Sequence, residues 1–572
     1  MPESRRLDRL TSMMRRRGIV LPSFEIYGGV AGLVDYGPVG ARIKRKVIQA
    51  WIDHWTSNGD IVEVDSPTIT PKAVLVASGH VGEFNDQMSE CLSCNAIFRS
   101  DHLVEGMHPS PDTLEGEELD SLISSNSVTC PNCQGGEWAK ARPMNLMFPT
   151  TIGAMGGGRE AYMRPETAQG MFMLFPSLYR HFKQKLPFGA VQTGRGYRNE
   201  ISPRKGMIRL REFNMAELEY FIDPLDQPCG DLGQYTDKIS LIPDPEGENQ
   251  GEIRSTFSEA NQSGLIKHST VAWFMARTYD FLTKIGIDSE KIRFRQHAGS
   301  EMAHYASDCW DCEILGEYDW IECVGIANRT CHDLESHELH SGSNLLRSWR
   351  QFVTPKKIFK EGLSPNSSVI GPLFKQRAGA ISTAISELVD IPGSFPFTIV
   401  LDGGFEAEIT KEMVSLVKEE RNIHGEWFTP HVIEPAFGID RIIWHVLDHS
   451  FIEDGKDEEG YVTLRLSETV CPYDLSILPL FDKDGMGEFA RGMFNQVSTI
   501  RGIHADIDSS GSIGKRYARA DEIGVPWAIT VDHSTLDDGT VTVRKRDDQR
   551  QVRISSEELI VHVKNRTIES LF

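Results

Sequence analysis

Alternating apolar and polar positions near the middle of the chain predict a long β-hairpin. Residues 190–200 and 210–222 each show the period of two that is typical of a strand, and a polar stretch with proline and glycine separates them. Successive side chains of a strand point to opposite faces, so Arg198 and Glu200 are expected on one face of the first strand. The corresponding face of the second strand carries Arg211, Phe213, Met215, Glu217 and Glu219. The hairpin therefore predicts a surface that combines fixed charges with an aromatic ring.

Helical and strand-like patterns on both sides of the hairpin predict further elements. Residues 41–56 have the period of an amphipathic helix, and residues 61–64 have that of a strand that runs into Pro67. Later, residues 432–434 predict a short strand, and an apolar helical run begins at Gly438-Ile-Asp-Arg441. Arg441 is thus expected near a helix N-terminus, where anions bind favourably.

A different pattern begins at about residue 470, where short strands alternate with helices. The predicted strands cover residues 475–480, 504–507, 527–531 and 540–543, and the predicted helices cover 486–501 and 514–523. Strands interleaved with helices indicate an α/β sheet with crossover connections. We therefore expect an antiparallel α+β part followed by a separate α/β domain.

Length and composition narrow the class of protein. A chain of 572 residues exceeds what one hydrophobic core usually serves, so it predicts two or more domains. Hydrophobic residues make up 40% and charged residues 25%, as in ordinary globular proteins. No apolar run is long enough to span a bilayer, and the Arg-rich start lacks the apolar segment of a secretory signal. The sequence predicts a cytoplasmic protein without a membrane span.

The net charge of −22 makes a uniformly basic nucleic-acid surface impossible. Much of the acid lies in residues 101–120, 244–252 and 453–459. Phosphate contacts would have to come from local clusters of Lys and Arg. One such tract, Arg544-Lys-Arg546 with Arg550 and Arg553, lies in the C-terminal domain, although a charge run on a strand is often only solvated.

Four of the ten cysteines form two C-x2-C pairs, which is a zinc signature. Tetrahedral zinc takes four soft ligands, and each pair offers two thiolates from one tight turn. Unliganded thiols and two disulfides are the alternatives, and a cytoplasmic location disfavours the second. A second group (Cys309, Cys312, Cys323 and Cys331) lies in apolar, strand-like sequence and is expected to pack in the core. The predicted zinc ligands are Cys91, Cys94, Cys130 and Cys133.

The charged face of the hairpin suits a nucleotide, since a phenyl ring can stack on a base and arginine can neutralise phosphate. A solvated amphipathic hairpin is the alternative reading of the same pattern. Longer motifs favour the nucleotide. Arg198-Asn-Glu200 with Phe213, and Gly438-Ile-Asp-Arg441, resemble motifs 2 and 3 of class II aminoacyl-tRNA synthetases, and Pro67 resembles motif 1.

Four longer segments resemble the α2 dimeric, archaeal and eukaryotic-like glycyl-tRNA synthetases, and a fifth stretch, 303–329, is similar to the same family. The four are Arg164-Pro-Glu-Thr-Ala-Gln-Gly170, Tyr197-Arg-Asn-Glu-Ile-Ser-Pro-Arg204, Arg211-Glu-Phe-Asn-Met-Ala-Glu217 and Glu434-Pro-Ala-Phe-Gly438. The resemblance implies a class II catalytic core over 1–465 and an anticodon-binding domain over 466–572. A zinc-binding insertion is expected at 88–140, and insertions between motifs 2 and 3 at 223–291 and 340–429.

The resemblance also implies roles for individual residues. Arg198 and Arg441 are the expected catalytic residues, at the α- and γ-phosphates of ATP. The full ATP-binding set is Arg198, Asn199, Glu200, Ile208, Arg209, Leu210, Arg211, Glu212, Phe213, Glu322, Cys323, Glu434 and Arg441. The glycine-binding set is Arg99, Glu166, Phe213, Glu217, Arg329, Glu434 and Ala436. Glu322 and Glu434 are expected near Mg²⁺, and the implied partners are ATP, glycine, tRNA(Gly) and a second copy of the chain.

One position departs from the family pattern, because Ala436 stands where the family usually has serine. The missing hydroxyl puts the contact at that position in question and leaves the two arginines untouched. Other readings stay open: a prolyl- or threonyl-type class II synthetase, a catalytically silent synthetase-like tRNA-binding protein, and an adenylate-forming ligase that does not use tRNA.

Overall fold

The computed structural model describes residues 5–108, 111, 114–154, 157–201, 203, 206–244, 251–298, 307–388, 392–402, 404–454 and 461–572. It consists of two compact units, one formed by Met1–Leu346 with Pro430–Phe572 and the other by Arg347–Thr429. Two parts of the resemblance, Arg204 and the segment 303–306 with His304, lie outside the described residues. No helix of the described residues is long and apolar enough to cross a membrane.

A nine-stranded, mostly antiparallel sheet forms the centre of the larger unit. In chain order its strands are β1 (Ile61–Glu63), β2 (Phe188–Tyr197), β3 (Glu212–Ile222), β4 (Ile239–Ile242), β5 (Ile253–Ser255), β6 (Ile292–Gln296), β7 (Asp308–Gly316), β8 (Asp319–Thr330) and β9 (His431–Gly438). In space they follow the order β5-β4-β6-β7-β8-β9-β3-β2-β1, in which only the β1–β2 and β4–β6 pairs are parallel. The sheet confirms the α+β fold class.

The predicted hairpin is the β2–β3 pair, which is antiparallel from Phe188 opposite Phe221 to Tyr197 opposite Glu212. Both strands are shorter than predicted at the turn, so Arg198 and Glu200 follow the end of β2 instead of lying within it. Residues 223–291 do not form a separate lobe. They contribute β4 and β5 to the edge of the sheet and a helix to its core, because their apolar positions are buried against it.

Helices cover the sheet and fix its core. Their bounds are α1 (Arg5–Arg16), α2 (Pro38–Thr56), α3 (Ala168–His181), α4 (Ser269–Lys284), α5 (His332–Ser341) and α6 (Ile439–Ser450), with shorter helices at Lys72–Ala77, His80–Glu83 and Phe257–Gln262. Trp51 and Trp55 of α2 are fully buried, and their rings lie 5.5 and 5.9 Å from that of Phe437 in β9. Helix α2 is therefore packed directly beneath the strand that leads into Arg441.

Small sheets surround this core. A three-stranded sheet (Asn85–Glu90, Ile97–Arg99 and Arg142–Asn145) carries the helices Ser100–Leu103 and Gly116–Ser125 and the cysteine pairs. A second three-stranded sheet combines Ile69–Pro71, Pro149–Ile152 and Arg159–Met163. Two-stranded ribbons join Val20–Pro22 to Val34–Tyr36 and Phe451–Asp454 to Tyr461–Leu464.

The C-terminal region has the predicted α/β pattern and a hydrophobic cluster of its own. Its strands are β10 (Leu475–Pro479), β11 (Ala505–Ile507), β12 (Trp527–Val531), β13 (Thr540–Lys545) and β14 (Gln551–Ser555), in the order β11-β10-β12-β13-β14. Its helices are α7 (Met486–Ser498), α8 (Ile513–Glu522), α9 (Ser556–Asn565) and the short His533–Asp538. Each predicted element of this region is present within a few residues of its predicted bounds.

The smaller unit, Arg347–Thr429, has its own apolar cluster and corresponds closely to the expected insertion at 340–429. A long antiparallel ribbon (Ser348–Pro365 with Val414–Phe428) carries a short hairpin (Phe397–Leu401 with Phe405–Ile409) and the helices Ser367–Phe374 and Ala378–Ser386.

Candidate active site

An open cleft of about 790 Å³, including its mouth, lies on the sheet face that carries the β2–β3 hairpin. Its walls come from the hairpin and its loop, from β8, from β9 and from the start of α6. The predicted residues that line it are Arg198, Glu200, Ile208, Arg209, Leu210, Phe213, Glu217, Glu322, Cys323, Ala436 and Arg441. Three segments far apart in the chain (198–217, 322–323 and 436–441) thus bring most of the predicted ATP set and three of the predicted glycine-binding residues into one space.

The aromatic ring of the cleft is held by the hairpin. Phe213 lies opposite Gly196, and a Cβ atom at Gly196 would come within 2.7 Å of its ring, so only glycine lets the ring lie across the partner strand. The Arg198 guanidinium lies 5.4 Å from the Phe213 centroid and 5.2 Å from that of Phe84, which is cation–π distance. Arg198 Nε has no hydrogen-bond partner among the described residues. A charged donor is therefore positioned beside a stacking surface.

The other cleft arginine is bound by backbone carbonyls. Arg441 donates from Nε to the carbonyl of Ile208 at 3.1 Å and from Nη1 to the carbonyl of Glu322 at 2.6 Å, while Nη1 is 3.6 Å from the Glu322 carboxylate. Ile208 belongs to the loop between β2 and β3, and the adjacent Arg209 lies 3.3 Å from the Glu200 carboxylate. The hairpin loop therefore lies against Arg441.

Asp440, next to Arg441, is buried and is held by hydrogen bonds to neighbouring elements. It is 2% exposed and accepts hydrogen bonds from the Tyr36 hydroxyl and from the backbone N–H and side-chain amide of Asn214, the last two at 2.5 and 2.9 Å. Burial raises the pKa of Asp440 despite these bonds. Asp440 thus ties the start of α6 to β3 and to the ribbon strand Val34–Tyr36.

Acidic side chains lie at the deep end of the cleft. Glu217 accepts the backbone N–H of Thr167 at 2.7 Å and its hydroxyl at 2.5 Å. Burial raises the pKa of Glu217 to about 8, with Glu166 and Glu434 adding to the shift. Glu166 accepts from Gln169 at 2.8 Å and lies 3.3 Å from His80 Nε2. Burial alone would raise the pKa of Glu166, but His80 and Arg329 outweigh it and hold the pKa below its usual range. Of these two carboxyl groups, Glu217 lines the cleft, whereas Glu166 lines a neighbouring one beside Ser66 and Pro67.

Arg329, predicted at the substrate carboxylate, is instead buried behind this acidic region. Its Nε and Nη2 donate to the two oxygens of Asp333 at 2.8 and 2.9 Å, and Nη1 donates to those of Glu434 at 2.9 and 3.1 Å. It does not line the cleft. Since Arg329 and Glu434 lie on adjacent strands, their charges compensate each other within the sheet.

The cleft floor at its acidic end carries small side chains. In the sheet register Ala436 lies opposite Glu217 on one side and Gly325 on the other. A Cβ atom at Gly325 would meet nothing within 4 Å. This row of small residues leaves room above the sheet beside a carboxylate.

Besides Glu434, three members of the predicted ATP set do not line the cleft. Glu212 alternates with Phe213 along β3, so it faces away, forms an ion pair with Arg195 and lines a different cleft near Lys44. Arg211 donates to the carbonyls of Glu200 and Ala31 at 3.0 and 2.7 Å, which braces the hairpin loop. Asn199 donates its backbone N–H to the carbonyl of Leu146 at 2.7 Å.

Arg99, predicted near the substrate carboxylate or the adenylate, lies beside the nucleotide end of the cleft. It forms ion pairs with Asp86 at 3.0 Å and Asp101 at 2.7 Å, and it shares a cleft with Arg209, Glu322 and Arg441. Arg99 thus shares a cleft with Arg441 and does not line the cleft that holds Glu217.

The two predicted magnesium carboxylates are separated. Glu322 is an exposed carboxylate in the cleft, whereas Glu434 is 8% exposed and bound to Arg329. Glu434 lies opposite Ala327 of β8, five residues beyond Glu322, which corresponds to about 16 Å along a strand. The two carboxylates expected near Mg²⁺ thus lie apart, and of the two only Glu322 lines the cleft.

The predicted zinc ligands converge. Their sulfur atoms all lie within 4.8 Å of one another, with Cys91–Cys133 and Cys94–Cys130 Sγ distances of 3.6 and 3.7 Å. Four thiolates about 2.3 Å from a tetrahedral zinc ion stand about 3.8 Å apart, so the site fits zinc. Each pair starts with the same turn, in which the carbonyl of the first cysteine accepts the N–H four residues on.

The second cysteine group does not form a similar cluster within the part of the chain that the structure describes. Cys312 and Cys323 are buried in the core of the large sheet, in agreement with the expected packing role. Cys309 lies near His297 and Asp311, whose nearest ligand atoms are 2.8 Å apart.

The basic tract of the C-terminal domain is only partly exposed: Arg550 and Arg553 lie on the surface, whereas Arg544 and Arg546 are buried. Arg544 is 5% exposed and binds both oxygens of Asp521 at 3.0 Å, because β13 is an interior strand beneath α8. Arg546 is 6% exposed and donates to the carbonyl of Gly524 at 2.9 Å. Arg553 is paired with Asp532 at 2.7 Å. The interpretation of Arg544 and Arg546 as surface contacts was wrong.

Several residues of the site escaped the sequence analysis. His80, Phe84 and Asp333 lie in segments without a recognised pattern, so nothing in the sequence distinguished them. Thr167 lies inside one of the quoted motifs, where its proximity to Glu217 depends on a contact between α3 and β3. Further lining residues are Met207, Asn214, Met215, Phe437, Gly438 and Asp440.

Fold and site together define a class II tRNA synthetase. Residues 154–329 match the family described as tRNA synthetase class II core domain (G, H, P, S and T), and residues 474–566 match the anticodon binding domain. The first match contains α3, the hairpin with Arg198 and Phe213, and β8 with Glu322.

Whole-chain comparison then separates the members of this class. The glycine–tRNA ligase of Methanothrix thermoacetophila is 45% identical over 559 residues, covering 97% of this chain and 96% of that protein. That of Methanocaldococcus jannaschii is 45% identical over 581 residues, covering 98% and 99%. The chain belongs to the glycine–tRNA ligase family. Among solved structures, Giardia lamblia prolyl-tRNA synthetase with prolyl-adenylate aligns with 99% of this chain and 81% of that one, at 13% identity and a TM-score of 0.49.

Proposed function

We infer that the chain is a glycine–tRNA ligase, which joins glycine and ATP into glycyl-adenylate with release of pyrophosphate, then transfers glycine to the 3′ end of tRNA(Gly). One observation carries this reading. A single cleft holds arginines and a phenyl ring at one end and a buried acidic region with small residues at the other. A nucleotide and a small ammonium compound can therefore meet in it.

At the nucleotide end, Phe213 stacks on adenine and Glu200 accepts from its amino edge. Arg198 neutralises the α-phosphate and Arg441 the γ-phosphate, for which Arg441 exchanges its carbonyl partners for phosphate oxygens. Because Ile208 is one of those partners, ATP binding releases the loop between β2 and β3 so that it closes over the nucleotide. The remaining predicted ATP contacts in the cleft are Arg209, Leu210, Glu322 and Cys323.

At the other end, the ammonium group of glycine lies at Glu217, with Glu166 and Glu434 nearby. Arg329 shapes this region from behind through Glu434, and the substrate carboxylate points towards Arg198. A side chain on the substrate's Cα would collide with the cleft floor, where Ala436 leaves more room than the serine that is usual in the family. Rejection by steric clash suits a substrate that has no side chain to recognise.

The chemistry requires no nucleophilic side chain. An oxygen of the glycine carboxylate attacks the α-phosphorus in line, and the bond to pyrophosphate breaks. The terminal ribose hydroxyl of tRNA then attacks the carbonyl carbon, and AMP leaves. Arg198 and Arg441 position the phosphates and stabilise their charge. Glu322 is the carboxylate that would hold Mg²⁺, which neutralises a triphosphate when it is bound beside one or two carboxylates.

The other partners belong to the same proposal. Structural zinc at the four cysteines stabilises the insertion at 88–140, and the C-terminal domain binds the anticodon of tRNA(Gly). Exposed apolar side chains beside Pro67 support a homodimer through the predicted motif 1: Ile69, Val76 and Met173 are 46%, 41% and 40% exposed. The expected location is the cytoplasm. The proposed domains are a core over 1–465, of which 223–291 is an integral part, and the anticodon-binding domain over 466–572.

The test is aminoacylation of tRNA(Gly) transcript with labelled glycine, ATP and Mg²⁺. The proposal predicts alkali-labile, acid-precipitable glycyl-tRNA that the unmodified protein forms and the Arg441→Ala variant does not. Glycyl-adenylate without charged tRNA would instead support a ligase that does not use tRNA. Binding of tRNA without either product would support a catalytically silent relative.

A further inference from the structure

Three carboxyl groups converge behind the cleft floor, and the function of one of them is unassigned. The nearest oxygens of Glu217, Glu219 and Glu434 all lie within 4.8 Å of one another. Glu217 and Glu219 are two residues apart on β3, so they share a face, and Glu434 comes from the adjacent strand β9. They are 3%, 0% and 8% exposed, respectively. Glu219 is therefore the deepest of the three and does not reach the cleft.

Glu219 differs from its neighbours in its hydrogen bonds. Glu217 accepts two from Thr167, and Glu434 accepts two from Arg329. Both carboxyl oxygens of Glu219 are buried without a hydrogen-bond partner in the described part of the chain. A buried carboxylate in this state is unstable, because it loses its hydration and gains nothing in return.

The charges around Glu219 decide its protonation state. On β3 it faces Glu217, and on β9 it faces Glu434. From β8 and α5 it meets Arg329 and Asp333, whose charges are already paired with each other and with Glu434. Burial raises the pKa of Glu219 well above its usual value, and the Glu434 carboxylate raises it further. A neutral carboxylic acid has one O–H donor, and the acceptors within reach are the neighbouring carboxylates.

We propose that Glu219 is a positioning residue of the ammonium site: a neutral acid that donates its proton to the neighbouring carboxylates and holds Glu217 and Glu434 in place for the ammonium group of glycine. The inference rests on the proposed function, which places that ammonium at Glu217. Glu219 acts as a hydrogen-bond donor and never as the negative charge that attracts the substrate. A hydrogen bond from a carboxylic acid to a carboxylate is among the strong ones, so its loss should be visible in glycine binding.

Two variants separate donor from charge. Glu219→Gln keeps the size and offers an amide N–H in place of the acid O–H, whereas Glu219→Met keeps the size and removes the donor. We expect Glu219→Gln to keep the KM for glycine within about threefold. We expect Glu219→Met to raise it about 10- to 100-fold, as the loss of a hydrogen bond to a charged group does, with the KM for ATP unchanged within about twofold.

Melting temperature and the KM for glycine together give a readout that a purely structural role would not match. Glu219→Met removes the proposed hydrogen bond, so it should melt lower and bind glycine worse, whereas a purely structural residue would lower the melting temperature and leave the KM for glycine unchanged. Glu313→Gln is the matched control. Glu313 is also a buried acid of the sheet, but it is paired with Arg293 at 2.6 Å, so its replacement should lower the melting temperature and leave the KM for glycine unchanged.

The experiment is glycine-dependent ATP–pyrophosphate exchange on the full chain and on these three variants. Equal impairment of Glu219→Gln and Glu219→Met would show that Glu219 acts through its charge, and an unimpaired Glu219→Met would show that it does not position the site; either result overturns the inference. Absence of exchange in the unmodified protein would refute the proposed function instead, so the two failures can be told apart.

Discussion

Replacing Arg198 by lysine tests the nucleotide end of the cleft most sharply. Lysine keeps the positive charge but loses the planar donor fork and the stacking between two rings, at 5.2 and 5.4 Å. A hydrogen bond to a charged group contributes about 1.5–3 kcal/mol, and a cation–π contact contributes about 0.5–1 kcal/mol. The sum of about 2–4 kcal/mol corresponds to a loss of about 30- to 700-fold in kcat/KM for ATP.

The assay is pyrophosphate exchange at saturating glycine with ATP varied, accompanied by thermal melting. Within the described part of the chain Arg198 forms no ion pair that would be lost from the fold, so the melting temperature should stay the same. Arg195→Lys is the matched control, because Arg195 lies on the same strand, faces away from the cleft and pairs with Glu212. The reasoning would be refuted if Arg198→Lys kept kcat/KM within about twofold, or if Arg195→Lys lost as much.

Three further predictions concern pH, zinc and tRNA. With a pKa of about 8, Glu217 is protonated at neutral pH before glycine binds, and the ammonium of glycine favours its ionised form. The KM for glycine should therefore fall by up to about tenfold per pH unit as the pH rises to about 8, and then level off. Glu217→Gln should flatten this profile. Because of this raised pKa, the folded protein holds a proton that the unfolded chain has released. Ionisable Glu217 should therefore lower the free energy of unfolding progressively from about pH 4.5 to about 8. Equal melting temperatures of Glu217→Gln and the unmodified protein across that range would contradict this expectation. Removal of zinc by a chelator should release about one ion per chain and open residues 88–140 to protease, whereas an unchanged digestion pattern would exclude a structural ion. In the C-terminal domain, Phe481→Ala should raise the KM for tRNA about 5- to 100-fold without affecting melting, because the ring is 45% exposed at the carboxyl edge of parallel strands beside Lys483. Arg544→Ala should instead mainly lower the melting temperature, because it leaves Asp521 buried without its partner.

The sequence predicted most of the fold because its main signals are local. The period-two alternation of the hairpin, the helix over 41–56 and the alternating elements after residue 470 depend on neighbours along the chain, and the structure has them all. Residues 223–291 were different. Their strands pair with the sheet edge through contacts between distant segments, which no local period reports.

The same distinction holds in the site. Motif residues such as Arg198, Phe213 and Arg441 line one cleft as predicted, since their motifs fix both sequence and orientation. The predictions that differ from the structure concern side chains whose ion-pair partners lie far away in the sequence. Arg544 looked exposed because its neighbours are basic, but Asp521, which binds it, lies on α8. Similarly, Glu434 was expected near Mg²⁺, but both of its carboxylate oxygens accept hydrogen bonds from Arg329.

The central claim is that the acidic end of the cleft selects glycine for reaction with ATP. Its most direct test is ATP–pyrophosphate exchange with glycine, alanine, serine, proline and threonine supplied separately to the purified chain. The account predicts exchange with glycine and at most a trace with alanine. Exchange driven by proline or threonine, or no exchange with any of the five, would contradict it.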